Sequence, residues 1–195
     1  MPIFQLKIAL RGSKPPIWRI VEVKDDTNLY LLHCIIQGAM GWDNTHLHQF
    51  IVGGTYYGLP DTGADFDHDE RKTKISQILR EKKSSIEYEY DFGDSWLHNI
   101  ELKEILLETT GETYPRLVKG KGVCPPEDCG GLGGFYDLLE ALKDPKHPEH
   151  EEMTEDYDPD EFNSDRFDLE KHQYNTFSAY QMGIASKGRE AKGWY

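Results

Sequence analysis

The sequence predicts an α+β fold: a largely antiparallel sheet built from hairpins, with helices packed on one face. Two observations carry this. Apolar residues alternate with period two in several short runs of the first half, joined by turn residues. Helical stripes occur once early and then fill the last third.

Residues 3–10 open the chain, with Phe4, Leu6, Ile8 and Leu10 on one face of a strand. Arg11-Gly12-Ser13-Lys14-Pro15-Pro16 is a turn cluster, and residues 17–23 return with Ile17, Arg19, Val21 and Val23 on one face. Thr27 offers an N-cap hydroxyl for a helix over 28–40, whose stripe is Leu29, Leu32, Ile36 and Met40 and whose stop is Gly41. Residues 46–52 are a short strand candidate, and 55–57 pair back after Gly53-Gly54. Residues 59–72 read as a polar loop with five acidic side chains, and 75–79 as a helical turn. The clearest hairpin sets Ile86, Tyr88 and Tyr90 against Trp96, His98, Ile100 and Leu102 across Phe92-Gly93-Asp94. Gly and Pro mark 109–134 as loop. Phe135, Leu138, Leu139 and Leu142 form a helical stripe ended by Asp144-Pro145. Further helices are expected over 148–156 and 165–174. Residues 1–182 read as a single domain and 183–195 as a frayed tail rich in Gly, Ser and Lys.

With 195 residues the chain is long enough for a sizeable core. The net charge is −13, and residues 146–170 alone hold eleven acidic and two basic side chains. Phosphate neutralisation by Lys and Arg drives non-specific nucleic-acid binding, so direct binding is not expected of this chain. The acidic stretch reads as a solvated surface or as a dock for a basic partner. No apolar run approaches the roughly 20 residues of a membrane span, and no secretory signal opens the sequence. Cys34, Cys124 and Cys129 cannot all pair internally, which suits reduced thiols in a cytoplasmic protein.

Three constellations offer chemistry. His46 and His48, two apart on a strand, would face one side and hold one metal ion, with Asp91, Asp94, His98, Glu127 or Asp128 completing the set. The plainer reading has both histidines hydrogen-bonded in the sheet or exposed. Asp91, Asp94, Trp96 and His98 surround the hairpin turn, where a carboxylate would orient His98 for metal or proton chemistry. Alternatively the carboxylates accept backbone N–H bonds across the turn and Trp96 anchors the core. Cys124-Pro125-Pro126-Glu127-Asp128-Cys129 has the upper range of zinc-site cysteine spacing, but Pro-Pro stiffens it into a turn presenting Glu127 and Asp128. No Ser-His-Asp order, P-loop or dinucleotide fingerprint is present.

At these residues the chain resembles the root-inducing-plasmid ORF-three family, with its pRiA-type ORF-three-like domain. The matching stretches are Leu32-His33, Gly41-Trp42, His46-Leu47-His48-Gln49-Phe50, residues 88–98, Pro125-Pro126-Glu127-Asp128 with Gly130-Gly131, and Tyr157-Asp158-Pro159 with Phe162. They span roughly 3–175. The resemblance implies an α+β fold and no established activity. Some members are labelled passenger TnpR-type proteins of insertion elements, which implies a link to mobile DNA. Cys129 stands where the resemblance sets an apolar residue, which counts against a cysteine zinc site.

The leading expectation is a cytoplasmic binding or accessory protein with a protein partner. Its working surface would be the polar cluster of Asp91, Asp94, Trp96, His98, Glu127 and Asp128 with His46 and His48. The rival is a metal-dependent hydrolase or nuclease in which His46, His48 and nearby carboxylates hold a divalent ion that activates water. A third reading is a recombination accessory protein that meets DNA only through a basic partner. No cofactor is established, and a divalent metal is the one these residues would hold.

Overall fold

The computed structural model describes residues 1–162 and 167–187. Period-two alternation produces the strands. β1 (Pro2–Leu10) and β2 (Trp18–Lys24) pair antiparallel, and β6 (Ser85–Tyr90) pairs with β7 (Trp96–Leu107) in the register Tyr90↔Trp96, Tyr88↔His98. β3 (His48–Val52), β4 (Thr55–Gly58), β5 (His68–Asp69) and β8 (Arg116–Lys121) complete one eight-stranded sheet in the order β5-β4-β3-β6-β7-β1-β2-β8. Every pair is antiparallel except β4 with β5.

α1 (Leu29–Met40) lies on the inner face of this sheet, and Tyr30 alone among its residues is not buried. Leu32, Ile35 and Ile36 join Phe4, Leu6 and Ile100 in the core. α1 is buried all round because α5 (Leu169–Lys187) covers its outer side. The approach is close: a Cβ at Gly38 would lie 2.4 Å from Asn175 O. α2 (Ile75–Ile78), α3 (Gly131–Lys143) and α4 (His150–Asp156) are shorter. No described helix is long and apolar enough to cross a membrane.

Arg19 sits on the inner face of β2 and is 0% exposed. Its Nε donates to Ala39 O at 2.9 Å, and its Nη1 to Lys121 O at 2.9 Å and Trp18 O at 3.0 Å. The guanidinium also stands 4.5 Å over the Phe167 ring. It thus serves a carbonyl at the C-terminal end of α1, where the helix leaves acceptors without donors.

Several expectations need correction. The N-cap of α1 is Asn28, whose side chain accepts from Leu31 N at 3.0 Å, not Thr27. The strand expected from residue 46 starts at His48. The expected loop 109–134 contains β8, which buries Leu117 and carries Gly120. One buried side chain is too weak a pattern to mark a strand. α5 starts at 169, not 165, and runs well beyond 174. Residues 183–187, expected to fray, are its last turn, while 188–195 lie outside the described residues. Packing on α1 overrides the weak local preference there.

Candidate functional site

Tyr90 organises the surface that carries the expected site. Its hydroxyl, at the end of β6, accepts from Thr45 N at 3.0 Å and His46 N at 3.3 Å and donates to Glu127 Oε1. Glu127 Oε2 accepts from Asp43 N at 3.2 Å. Burial and the Glu127 carboxylate push the Tyr90 hydroxyl upward, so it stays a donor. Two loops, 43–46 and 125–128, are thereby pinned side by side.

That arrangement brings His46, Asp91 and Asp128 together. His46 Nδ1 lies 3.8 Å from Asp91 Oδ2, and Nε2 lies 3.2 Å from Asp128 Oδ1. Asp91 is buried at the hairpin turn, where Oδ1 accepts from Gly93 N at 2.9 Å. Asp128 is exposed. Of the five non-glycine residues with positive φ among the described residues, four surround this point: Asn44, Asp91, Ser95 and Asp128. Such conformations cost about 1 kcal/mol or more each and concentrate at functional sites.

His48 goes elsewhere. Its Nε2 meets Glu70 Oε1 at 3.0 Å and Oε2 at 2.9 Å, and its ring stacks on His33 at 3.4 Å and 3°. His33 in turn bonds Tyr88 OH and Asn44 Oδ1, each at 2.8 Å, and Gln37 donates to Tyr88 OH at 3.0 Å. Burial, with the Asp69 charge adding to it, pushes Glu70 up to about 8. Burial alone drives His48 down to about 3, and burial with the His48 ring lowers His33 well below its ordinary value. The network is therefore neutral at pH 7. Glu70 was missed in the sequence because it stands in a short 3-10 turn, Glu70–Lys72, within an acidic loop. No local pattern distinguishes it from the other acidic residues of that loop.

The other expected residues serve the scaffold. Trp96 and His98 are 1% and 0% exposed on the inner face of β7, and His98 Nδ1 bonds Trp96 O at 2.8 Å. Burial lowers His98 to about 4. Asp94 Oδ2 accepts from Gly130 N at 3.1 Å, which fixes the start of α3 beside the hairpin turn. Gly131 has φ +68, and a Cβ there would lie 2.7 Å from Asp94 O, so the glycine run serves close packing. Burial pushes the Cys124 and Cys129 thiols up to about 12, the reverse of what thiolate ligation needs.

On the other side of the 125–128 loop lies a cleft of about 390 Å³. Trp42, Pro125, Pro126 and Phe162 supply apolar wall, and Asp43, Glu127, Glu161 and Asp168 supply carboxylates, against Lys171 and His172. Trp42 Nε1 donates to Pro125 O at 3.0 Å, and its ring stacks on Tyr90 at 5.0 Å. The cleft and the His46 group thus share the same two loops.

The sequence model of the plasmid pRiA4b ORF-3-like protein family matches residues 2–171. The uncharacterized protein y4hQ of Sinorhizobium fredii is 37% identical over 163 residues, covering 80% of this chain and 84% of that protein. A crystal structure of MM3350, a protein of unknown function from Methanosarcina mazei Go1, superimposes with a TM-score of 0.74 at 34% identity. It covers 87% of this chain and 96% of that one.

Proposed function

The chain belongs to the plasmid pRiA4b ORF-3-like family, and from that premise we propose a cytoplasmic binding or accessory protein whose cleft beside Trp42 takes an arginine or lysine side chain of a protein partner. The observation that carries this is the cleft itself. Among the described residues its lining holds the carboxylates of Asp43, Glu161 and Asp168, with Glu127 already bonded to Tyr90, beside Lys171, His172 and walls of Trp, Pro and Phe. A guanidinium or ammonium group on an apolar stem suits such a lining, stem against the walls and charge at the rim. Asp158 and Asp160, next to the lining residue Glu161 in sequence, add to the same acidic field. Cys34, Cys124 and Cys129 form no disulfide, which supports a reducing compartment. The plasmid reading frame in the family's description supports an accessory role in mobile DNA, reached through a basic partner, since the net charge of −13 disfavours DNA itself. The hydrolase reading as drawn from the sequence needs His46 and His48 on one metal, and these rings turn to different partners.

An NMR titration with a capped tetrapeptide carrying two arginines tests the reading, with the glutamate counterpart as control. Saturable shifts are expected at 41–43, 124–127 and 168–175, weakened by Asp43→Asn and Glu161→Gln. Shifts of equal size with the glutamate peptide, or confined to 146–156, would overturn it.

A further inference from the structure

We propose that the cavity beside His48 binds a small organic ammonium compound, whose N–H donates to His48 Nδ1 while Glu70, across the ring, carries the balancing charge. The cavity measures about 220 Å³, and its walls include Tyr30, His33, Asn44, Leu47, His48 and Leu59. It shares no lining residue with the cleft beside Trp42, and the proposal does not rest on that cleft.

His48 is 7% exposed. Glu70 takes its Nε2, and the His33 ring covers one face at 3.4 Å. Nδ1 has no hydrogen bond among the described residues and is not enclosed, so it opens on the cavity that the ring lines. The contact with Glu70 shows where the ring carries its hydrogen. Nε2 stands 3.0 and 2.9 Å from the two carboxyl oxygens. A carboxylic O–H would aim one oxygen at the nitrogen and leave the other farther off; near-equal distances belong to a ring N–H shared by two carboxylate oxygens. With its hydrogen on Nε2, the neutral ring presents a lone pair at Nδ1, which asks for a donor.

An ionised Glu70 that is 0% exposed also asks for a positive charge. Burial keeps a second proton off His48 down to about 3. On Glu70's own turn Arg71 is bonded to Asp69, and these two act on Glu70 in opposite directions. His48 on β3 and Tyr88 on β6 also face Glu70, and neither supplies a cation. An ammonium group at Nδ1 does, through the chain N⁺–H···Nδ1 and Nε2–H···carboxylate. The surroundings favour the same charge. No lysine or arginine lines the cavity among the described residues, and Asp91 and Asp128 face His46, another wall residue. The Tyr30 ring, Leu47 and Leu59 give an alkyl stem apolar contact. The volume falls below the roughly 300 Å³ at which drug-sized pockets begin, which suits a short alkylammonium.

The test is an NMR titration of the full-length protein with n-butylammonium chloride at constant ionic strength, with tetramethylammonium, a cation without an N–H, as control. Saturable shifts are expected at Tyr30, Asn44 and Leu59 and in the His48 ring nitrogens, with tetramethylammonium at least about tenfold weaker. With the pocket empty Glu70 keeps its proton up to about 8, so binding expels that proton to solvent. Affinity should therefore rise about tenfold from pH 6 to pH 7, and calorimetry in phosphate and in HEPES should show about one proton released. Glu70→Gln should weaken binding about tenfold or more and abolish the pH dependence. Leu59→Trp, at the wall, should block the cavity with the circular dichroism of the wild type. Equal affinity for tetramethylammonium overturns the proposal. So do an affinity that ignores pH, unchanged binding by Glu70→Gln or Leu59→Trp, and the lack of saturable shifts around the cavity.

Discussion

Replacing Arg19 by methionine separates what its hydrogen bonds contribute from what its burial costs. Burial lowers the guanidinium from 12.5 to about 10. At about 1.4 kcal/mol per tenfold, the folded state holds that charge at a cost of about 3 kcal/mol, which methionine relieves. Against this, Ala39 O is buried in the last turn of α1 and loses its donor, costing about 2–3 kcal/mol. Lys121 O and Trp18 O are only partly buried and cost about 1 kcal/mol each. The contact with the Phe167 ring adds about 1 kcal/mol. The difference is a net loss of about 2 kcal/mol for Arg19→Met. In a chain of this length that lowers Tm by about 4–8 °C. Arg19→Ala should be worse by about 2 kcal/mol, because it also leaves a cavity. Arg19→Lys should fall below methionine, since it keeps the buried charge and loses the fork that reaches separate carbonyls. Thermal and urea unfolding followed by circular dichroism at pH 7 measures all three. Arg19→Met as stable as the wild type would refute the reasoning, because desolvation would then equal or outweigh the bonds.

Two further perturbations read other parts of the fold. Burial keeps His48 neutral down to about 3 and His98 down to about 4, while the unfolded chain takes protons near 6.5. Stability is therefore lost as the pH falls through 6.5. Glu70 runs the other way: its folded value of about 8 stands above the ordinary 4.5, so its contribution is full below 4.5 and is lost as the pH rises to 8. Together these groups set a Tm maximum near pH 6.5, and Glu70→Gln should abolish the decline between 6.5 and 8; a wild-type Tm still climbing at pH 8 would contradict this. Gly38→Ala places a Cβ 2.4 Å from Asn175 O and 2.7 Å from Thr176 Cα, both backbone. Overpacking of this kind costs about 1–3 kcal/mol. Hydrogen exchange should quicken along α5 and stay slow in the β6–β7 hairpin; unchanged exchange in α5 would show that the two helices separate without cost.

The elements most legible in the sequence are those that bury one regular face. The β6–β7 hairpin alternates cleanly, and Tyr88, Tyr90, Trp96 and His98 are all buried where the alternation puts them. The stripe of α1 is equally plain, and the family motifs add the same hairpin and the 125–128 loop. β8 was hidden because it is an edge strand with Leu117 as its single buried side chain. The length of α5 was hidden because its stability comes from α1 rather than from its own pattern.

The candidate site was half legible. Its residue types and two of its loops were visible, and Asp91, Asp128 and His46 do meet. The pairing of His46 with His48 failed at one local fact: the strand begins at 48, so 46 is not bound by strand alternation. Glu70 was out of reach, since a charged residue is hidden only where other segments close over it; alternation put Arg19 on the apolar face of its strand, but not its carbonyl partners. Local periodicity records which side of an element faces solvent, and that determined the sheet, α1 and the fold class. Which polar groups meet depends on register and turn conformation between distant segments, such as Tyr90 pinning 43–46 to 125–128. Those contacts form only in the folded chain, so the tertiary structure alone decided them.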